Sequence, residues 1–182
     1  MNPAPGAILI SDPFLKDPNF MRTVVFLCEH AAEGSFGFVL NRPYEHTLDE
    51  LLADLEGFRI PVYYGGPVQV DTLHFLHTLP NDIVDGKEVT DGIYWGGNFQ
   101  QVLSMIRSKT LDLEKIRFFL GYSGWGENQL QEEQDEKSWL VIPGEQYLVF
   151  HDKPELAWKD AVRTLGKEYA PLVNYPIDPQ LN

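Results

Sequence analysis

Apolar residues recur along this chain at two periods, and stretches of the two kinds are interleaved. Leu48, Leu51, Leu52 and Leu55 fall at i, i+3, i+4 and i+7, the spacing of one helix face, and Thr47 with Glu50 has the form of a capping box ahead of them. Phe99, Val102, Leu103 and Ile106 repeat that spacing behind Asn98 and Gln101. Trp158, Ala161, Val162 and Leu165 do so behind Asp152 and Glu155, with Pro154 in the first turn and Gly166 at the stop. Three helices are predicted on these stripes, and a fourth, more polar one from Glu127 to Asp135.

Between them lie short runs of β-branched and aromatic residues. Arg22 to His30 reads as a strand buried on both faces, and Glu33-Gly34-Ser35 as the turn that returns it into Phe36 to Leu40, a hairpin closed by Asn41-Arg42-Pro43. Further strands are expected at Ala7 to Ser11, Val62 to Tyr64, Leu73 to Thr78, Ile93 to Gly96, Ile116 to Tyr122, Trp139 to Ile142 and Tyr147 to Phe150. A hairpin followed by irregular alternation points to an α+β fold with a mixed sheet rather than a doubly wound parallel one. The tail from Ala170, with Pro171, Pro176 and Pro179, is expected to be extended and loosely attached.

Composition narrows the class. A chain of 182 residues with 43% apolar and 13% aromatic residues is the size of one domain, 1–182, with enough apolar material for a core of its own. Cys28 is the single cysteine, which rules out an intrachain disulfide and fits a reducing, cytoplasmic setting. The N-terminus lacks the pattern of a signal peptide, and the longest apolar run, Val24 to Cys28, is far short of the roughly 20 residues that span a bilayer, so no membrane association is expected. Fourteen Lys and Arg against 27 Asp and Glu give a formal charge of −13. A duplex binder gains affinity by neutralising phosphates, and the thin basic groups Arg107-Ser108-Lys109 and Arg163 to Lys167 offer little for that, which argues against direct nucleic-acid binding.

Several constellations invite a chemical reading. Gly121-Tyr122-Ser123-Gly124-Trp125 has the outline of a nucleophile elbow, but Trp125 stands where that turn needs glycine, so a Gly-rich turn from strand to helix is the expectation. Cys28 and His30 lie two apart on a strand and share a face, yet Cys28 belongs to an apolar run that suits a core residue. His74 and His77 fall on opposite faces of their strand, which speaks against a metal pair. Asp82, Asp85, Glu88 and Asp91 lack the register of a calcium loop and read as a solvated turn. Gly65-Gly66-Pro67 and Gly96-Gly97-Asn98 lack the remainder of a P-loop or dinucleotide fingerprint. No cofactor is expected from these patterns.

The candidate binding residues are polar groups at strand ends. Arg22, His30, Glu33, Asn41 and Arg42 bracket the hairpin, and Trp125, Asn128 and Gln129 follow another strand. Such positions form clefts, and they also form hydrogen-bond networks that tie loops down; both readings stand at this level.

The same segments carry a family resemblance. Pro5 to Pro13, Asp17 to Val25, His30, Glu33 to Pro43, Gly65-Gly66-Pro67-Val68 and Gly121 to Gly126 with Gln129, Leu130 and Glu133 resemble the YqgE/AlgH family from about residue 5 to 150. The resemblance implies a bacterial α+β domain with a mixed, partly barrel-like sheet surrounded by three or four helices. Its members are mostly uncharacterised, and one branch is labelled a transcriptional regulator of alginate production. The expectation is therefore a non-enzymatic regulatory or adaptor domain with a protein or small-molecule partner. The alternatives are a hydrolase that takes an anionic substrate with Gly121 to Gly126 and the Arg22/Asn41/Arg42 group, and a direct DNA-binding factor.

Overall fold

Strand β8, Ile116–Trp125, is the element around which the others are arranged. In the computed structural model, which describes residues 1–175, it pairs antiparallel with β5 (Val68–His77) along one edge. Its other edge is shared: the first half takes β4 (Val62–Tyr64) in parallel, and the second half takes β3 (Gly34–Val39) antiparallel. Beyond β3 follow β2 (Val24–Ala31), β1 (Ala7–Ser11) and β9 (Trp139–Pro143), and beyond β5 come β7 (Ile93–Trp95) and β6 (Lys87–Thr90). The fold is α+β, and the β4–β8 pair makes the sheet mixed.

One face of this sheet wraps around a common core. Ile8, Phe26, Phe38, Leu76, Phe119 and Ile142 come from six different strands and meet in one cluster. Burying a large apolar side chain of this kind contributes about 1.5–3 kcal/mol relative to exposure. The curl brings β6 over β2, where Lys87 meets Glu29 at 2.8 Å, but the backbone ladder stops short of joining them and the barrel stays open. Short helices α4 (Gln146–Val149), α5 (Pro154–Arg163) and α6 (Ala170–Val173) fill the same core with Leu148, Val149, Trp158, Val162 and Val173. On the outer face of β4, β5 and β8, helices α1 (Leu48–Leu51) and α2 (Phe99–Arg107) cover Val62, Phe75 and Phe118. A third cluster joins Leu9, Val25 and Leu27 to Trp125, Trp139 and Leu130, the last from α3 (Gln129–Asp135).

Helix α2 forms as its sequence requires: the Asn98 side chain caps it by accepting from the Gln101 N–H at 3.1 Å, and Val102, Leu103 and Ile106 are buried. Other elements depart from expectation. The stripe from Leu48 to Leu55 breaks at Leu52, which is extended (φ −127°), and resumes as a 3-10 turn over Ala53–Leu55. Thr47 bonds the side chains of Asp49 and Glu50 instead of a backbone N–H, so the capping box is not made. The Tyr147 to Phe150 segment is helix α4 rather than strand. One helical turn buries both Leu148 and Val149 while Tyr147 stays half exposed, and an apolar run this short has no period to choose between the two states. β8 runs on through Gly121-Tyr122-Ser123-Gly124 to Trp125 where a turn was expected. Those positions pair with β3 (Ser35–Trp125, Phe36–Gly124, Gly37–Ser123), and Gly121 (φ +67°) lies where an added Cβ would fall 2.5 Å from the Gly66 carbonyl. The acidic turn from Asp82 to Asp91 contains β6, whose partner is β7. Residues from Ala170 to Val173 form α6, and Val173 is 5% exposed, so this part of the tail is docked; Pro176 and Pro179 lie outside the described residues.

Candidate ligand-binding cleft

A cleft of about 600 Å³ opens at the end of the sheet where β2 and β8 finish and β3 begins. Four aromatic side chains line it in a closed cycle. Phe36 lies 4.9 Å from Trp95 and 5.8 Å from Tyr122 between ring centroids, and His74 lies 6.0 Å from Tyr122 and 6.3 Å from Trp95. Phe38, fully buried, sits against both Phe36 and His74. Each of the four is only partly buried, so the cycle presents ring surface to the opening. Glu29 and Glu33 stand at the rim. Glu29 is paired with Lys87, and Glu33, which is exposed, has no ion-pair partner among the described residues.

His74 is held in one tautomer. Thr72 donates its hydroxyl proton to the Gln69 carbonyl at 2.7 Å, which leaves Oγ1 as the acceptor for the His74 Nε2–H at 3.0 Å. Burial pushes the His74 pKa below its ordinary value, favouring the neutral ring. Nδ1 therefore keeps its lone pair, and it meets no hydrogen-bond partner among the described residues.

The sequence-predicted residues are dispersed. Glu33 and Trp125 line this cleft. His30 and Asn128 line a neighbouring depression of about 340 Å³, where His30 Nδ1 meets Ser35 Oγ at 2.7 Å. Trp125 and Gln129 are tied to α3: Glu133 Oε2 accepts from the indole N–H of Trp125 and of Trp139, both at 2.8 Å, while Gln129 accepts from the Gly126 N–H and donates to Glu133. Arg22, Asn41 and Arg42 lie at the opposite end of β2, beyond Val24, which is roughly 20 Å from His30 at about 3.3 Å per strand residue. There Asn41 accepts from the Val24 N–H and donates to the Arg22 carbonyl, and Arg42 donates to the Pro18 and Met21 carbonyls. Arg22 adopts φ +55° and places its guanidinium 4.3 Å from the Trp158 ring centroid. The cluster is thus not one constellation.

Other sequence readings resolve through local geometry. Ser123 is buried and donates to the Gly65 carbonyl at 3.1 Å. A bulge between Leu27 and Glu29 interrupts the alternation of β2, so Cys28 enters the central core while His30 pairs with Ser35 on the other face; the two do not share a side as expected. Burial pushes the Cys28 thiol well above its ordinary pKa. His74 and His77 do point to opposite faces: His77 donates from Nε2 to the Gly96 carbonyl at 2.8 Å and accepts at Nδ1 from the Leu79 N–H at 3.0 Å.

A second cleft, about 680 Å³, was not anticipated. It surrounds Arg117, which is 9% exposed, bonds the Leu40 and His151 carbonyls and lies 4.2 Å from the Tyr63 ring centroid. A lone arginine inside the apolar run of β8 was the signal available for it. Phe36, Trp95 and Tyr122 carried a weaker one, because aromatics near strand ends are as often core as cleft.

The chain as a whole resembles known proteins. A model of the AlgH-like family matches residues 8–170. The chain belongs to the AlgH-like family. A UPF0301 protein of Chlorobium limicola is 43% identical over 178 residues, covering 98% of this chain and 95% of its own length. One from Cytophaga hutchinsonii is also 43% identical, over 97% and 98% of the two chains. Among solved structures, the AlgH protein from Pseudomonas aeruginosa is 31% identical, with a TM-score of 0.75 over 97% of this chain and 98% of that one. Protein DIP2367 from Corynebacterium diphtheriae, at 20% identity, has a TM-score of 0.79 over 96% of this chain and 94% of its own, a likeness of fold. No helix among the described residues is long and apolar enough to cross a membrane.

Proposed function

We propose that this chain is a non-enzymatic regulatory or adaptor domain that works by holding a small ligand in the aromatic cleft. The observation that carries this reading is the cycle Phe36–Trp95–His74–Tyr122, partly exposed ring surface backed by Phe38 with carboxylates confined to the rim. Concave, mostly apolar sites with a few placed polar groups are suited to orienting a ligand. The hydrolase alternative has less behind it, since Ser123 Oγ is spent on the Gly65 carbonyl and Asn41 and Arg42 are spent on backbone groups. A part in transcription control would run through a partner or ligand contact rather than bare DNA, because a formal charge of −13 opposes phosphate binding.

A metabolite screen by thermal shift, followed by heteronuclear NMR, tests the proposal. Hits should move the indole N–H resonance of Trp95 together with signals of Phe36 and Tyr122, and Tyr122→Ala should abolish the shift. Hits that perturb other surfaces and leave Trp95 untouched would overturn it.

A further inference from the structure

We infer that the cleft's occupant bears an organic cation carrying at least one N–H, a guanidinium or alkylammonium head. The inference rests on the reading of the cleft as a binding site and adds the chemistry of what enters it. Three independent features converge. Phe36, Trp95 and Tyr122 present ring surface, and the faces of aromatic rings attract cations through their quadrupole. Glu33 supplies an exposed carboxylate at the rim with no ion-pair partner among the described residues, whereas Glu29 is already answered by Lys87 at 2.8 Å. His74 presents Nδ1 as an acceptor, because Thr72 has taken the other ring nitrogen. An anion would meet Glu33, unpaired among the described residues, and find no donor in His74. A neutral apolar group would leave the Nδ1 lone pair unanswered. A quaternary ammonium satisfies the rings and Glu33 but cannot donate to Nδ1, and so a head with N–H is preferred.

Such a head could belong to a free small molecule or to a lysine or arginine side chain, and the assay separates the two. The readout is the Trp95 indole N–H shift in the full chain, titrated with methylguanidinium chloride, its uncharged counterpart N-methylurea, tetramethylammonium chloride and sodium acetate. Methylguanidinium should bind, N-methylurea and acetate should not, and tetramethylammonium should bind more weakly. Glu33→Gln, at an exposed position, should weaken methylguanidinium several-fold, and His74→Phe should weaken methylguanidinium while sparing tetramethylammonium. Trp95→Leu, followed through the Tyr122 resonances, should cost about two- to five-fold, the range of an exposed cation–π contact. A capped tripeptide with one arginine binding ten-fold more tightly than methylguanidinium would assign the head to a protein side chain; equal affinity would assign it to a free molecule. Equal binding of N-methylurea, or an unchanged affinity in Glu33→Gln, would overturn the cation assignment and leave the cleft a binding site. Failure of every probe and of the metabolite screen to move Trp95 would remove both readings.

Discussion

Glu133→Ala is the substitution that best separates scaffold from site. One carboxylate oxygen of Glu133 accepts from two indoles, Trp125 and Trp139, each at 2.8 Å, and those tryptophans are 4% and 2% exposed. A hydrogen bond to a charged group contributes about 1.5–3 kcal/mol, and a buried donor left without a partner costs about 1–3 kcal/mol. Two indoles lose their acceptor together. Water can reach part of the gap, since Glu133 itself is only half-buried, and alanine favours helix by a few tenths of a kcal/mol, so the net loss should be about 3 kcal/mol. In a chain of this size that corresponds to a fall in Tm of roughly 6–12 °C. Glu133→Gln keeps an acceptor oxygen and should lose about half as much. Chemical denaturation followed by both far-UV circular dichroism and tryptophan fluorescence measures each value. Gln131→Ala, an exposed neighbour on the same helix, should stay within about 0.5 kcal/mol of the native chain. A Glu133→Ala variant as stable as Gln131→Ala, or a Glu133→Gln variant as damaged as Glu133→Ala, would refute the account of this clamp.

Three further expectations follow from named contacts. Asn41→Ala removes both the acceptor for the Val24 N–H and the donor to the Arg22 carbonyl and should destabilise by about 1–3 kcal/mol; an unchanged denaturation midpoint would free Asn41 for a binding role. Cys28 is buried with its thiol pKa pushed up, so Ellman's reagent should label it only after unfolding, and labelling of the native chain within minutes would contradict its placement. His77 has a folded pKa below its ordinary 6.5, with Nε2 donating to Gly96 and Nδ1 accepting from Leu79, so the unfolded chain binds the proton more readily. Stability should therefore fall as pH drops from about 6.5, and His77→Gln should flatten that slope; an identical slope in the variant would show that other groups govern it.

Periodicity reached most of the elements, and its failures have local causes. The α2 stripe and its Asn98 cap were readable because burial and capping act on neighbouring residues. The Leu48 to Leu55 stripe was equally clear, yet Leu52 breaks it, since tertiary packing of Leu48 and Leu55 is satisfied without a continuous helix. The strand β6 was hidden because Lys87–Thr90 is an edge strand with exposed charged positions, paired only to a three-residue partner. Segment 147–150 misled because two adjacent buried residues fit one helical turn as well as a two-sided strand. Of the eight predicted site residues, Glu33 and Trp125 reach the aromatic cleft. Arg22, Asn41 and Arg42 failed to join them because both ends of a buried strand look alike in sequence: polar, and flanked by Gly or Pro.

What the sequence pattern had no means to express is register, and the cleft depends on it. Two irregularities flank the opening: the bulge between Leu27 and Glu29 in β2, and the longer shift between Val68 and Leu73 in β5. The first reverses the phase of β2, so that Glu29, opposite Phe36, faces the opening instead of the outer layer. The second loops Gln69 to Thr72 out of the ladder, with Gln69 at φ +46°, and thereby brings the Thr72 hydroxyl onto His74. Regular strands at these places would alternate Cys28 with Glu29 and pair Val68 to His77 without interruption, turning Glu29 away from the opening and withdrawing the Thr72 hydroxyl that fixes the His74 tautomer. Bulges bend a strand and re-aim its side chains at the cost of ladder hydrogen bonds. Two of them converge on one patch of aromatic surface, at an end of the sheet to which β2, β3, β5, β7 and β8 all contribute side chains, and that convergence is the structural basis for testing the proposed site there.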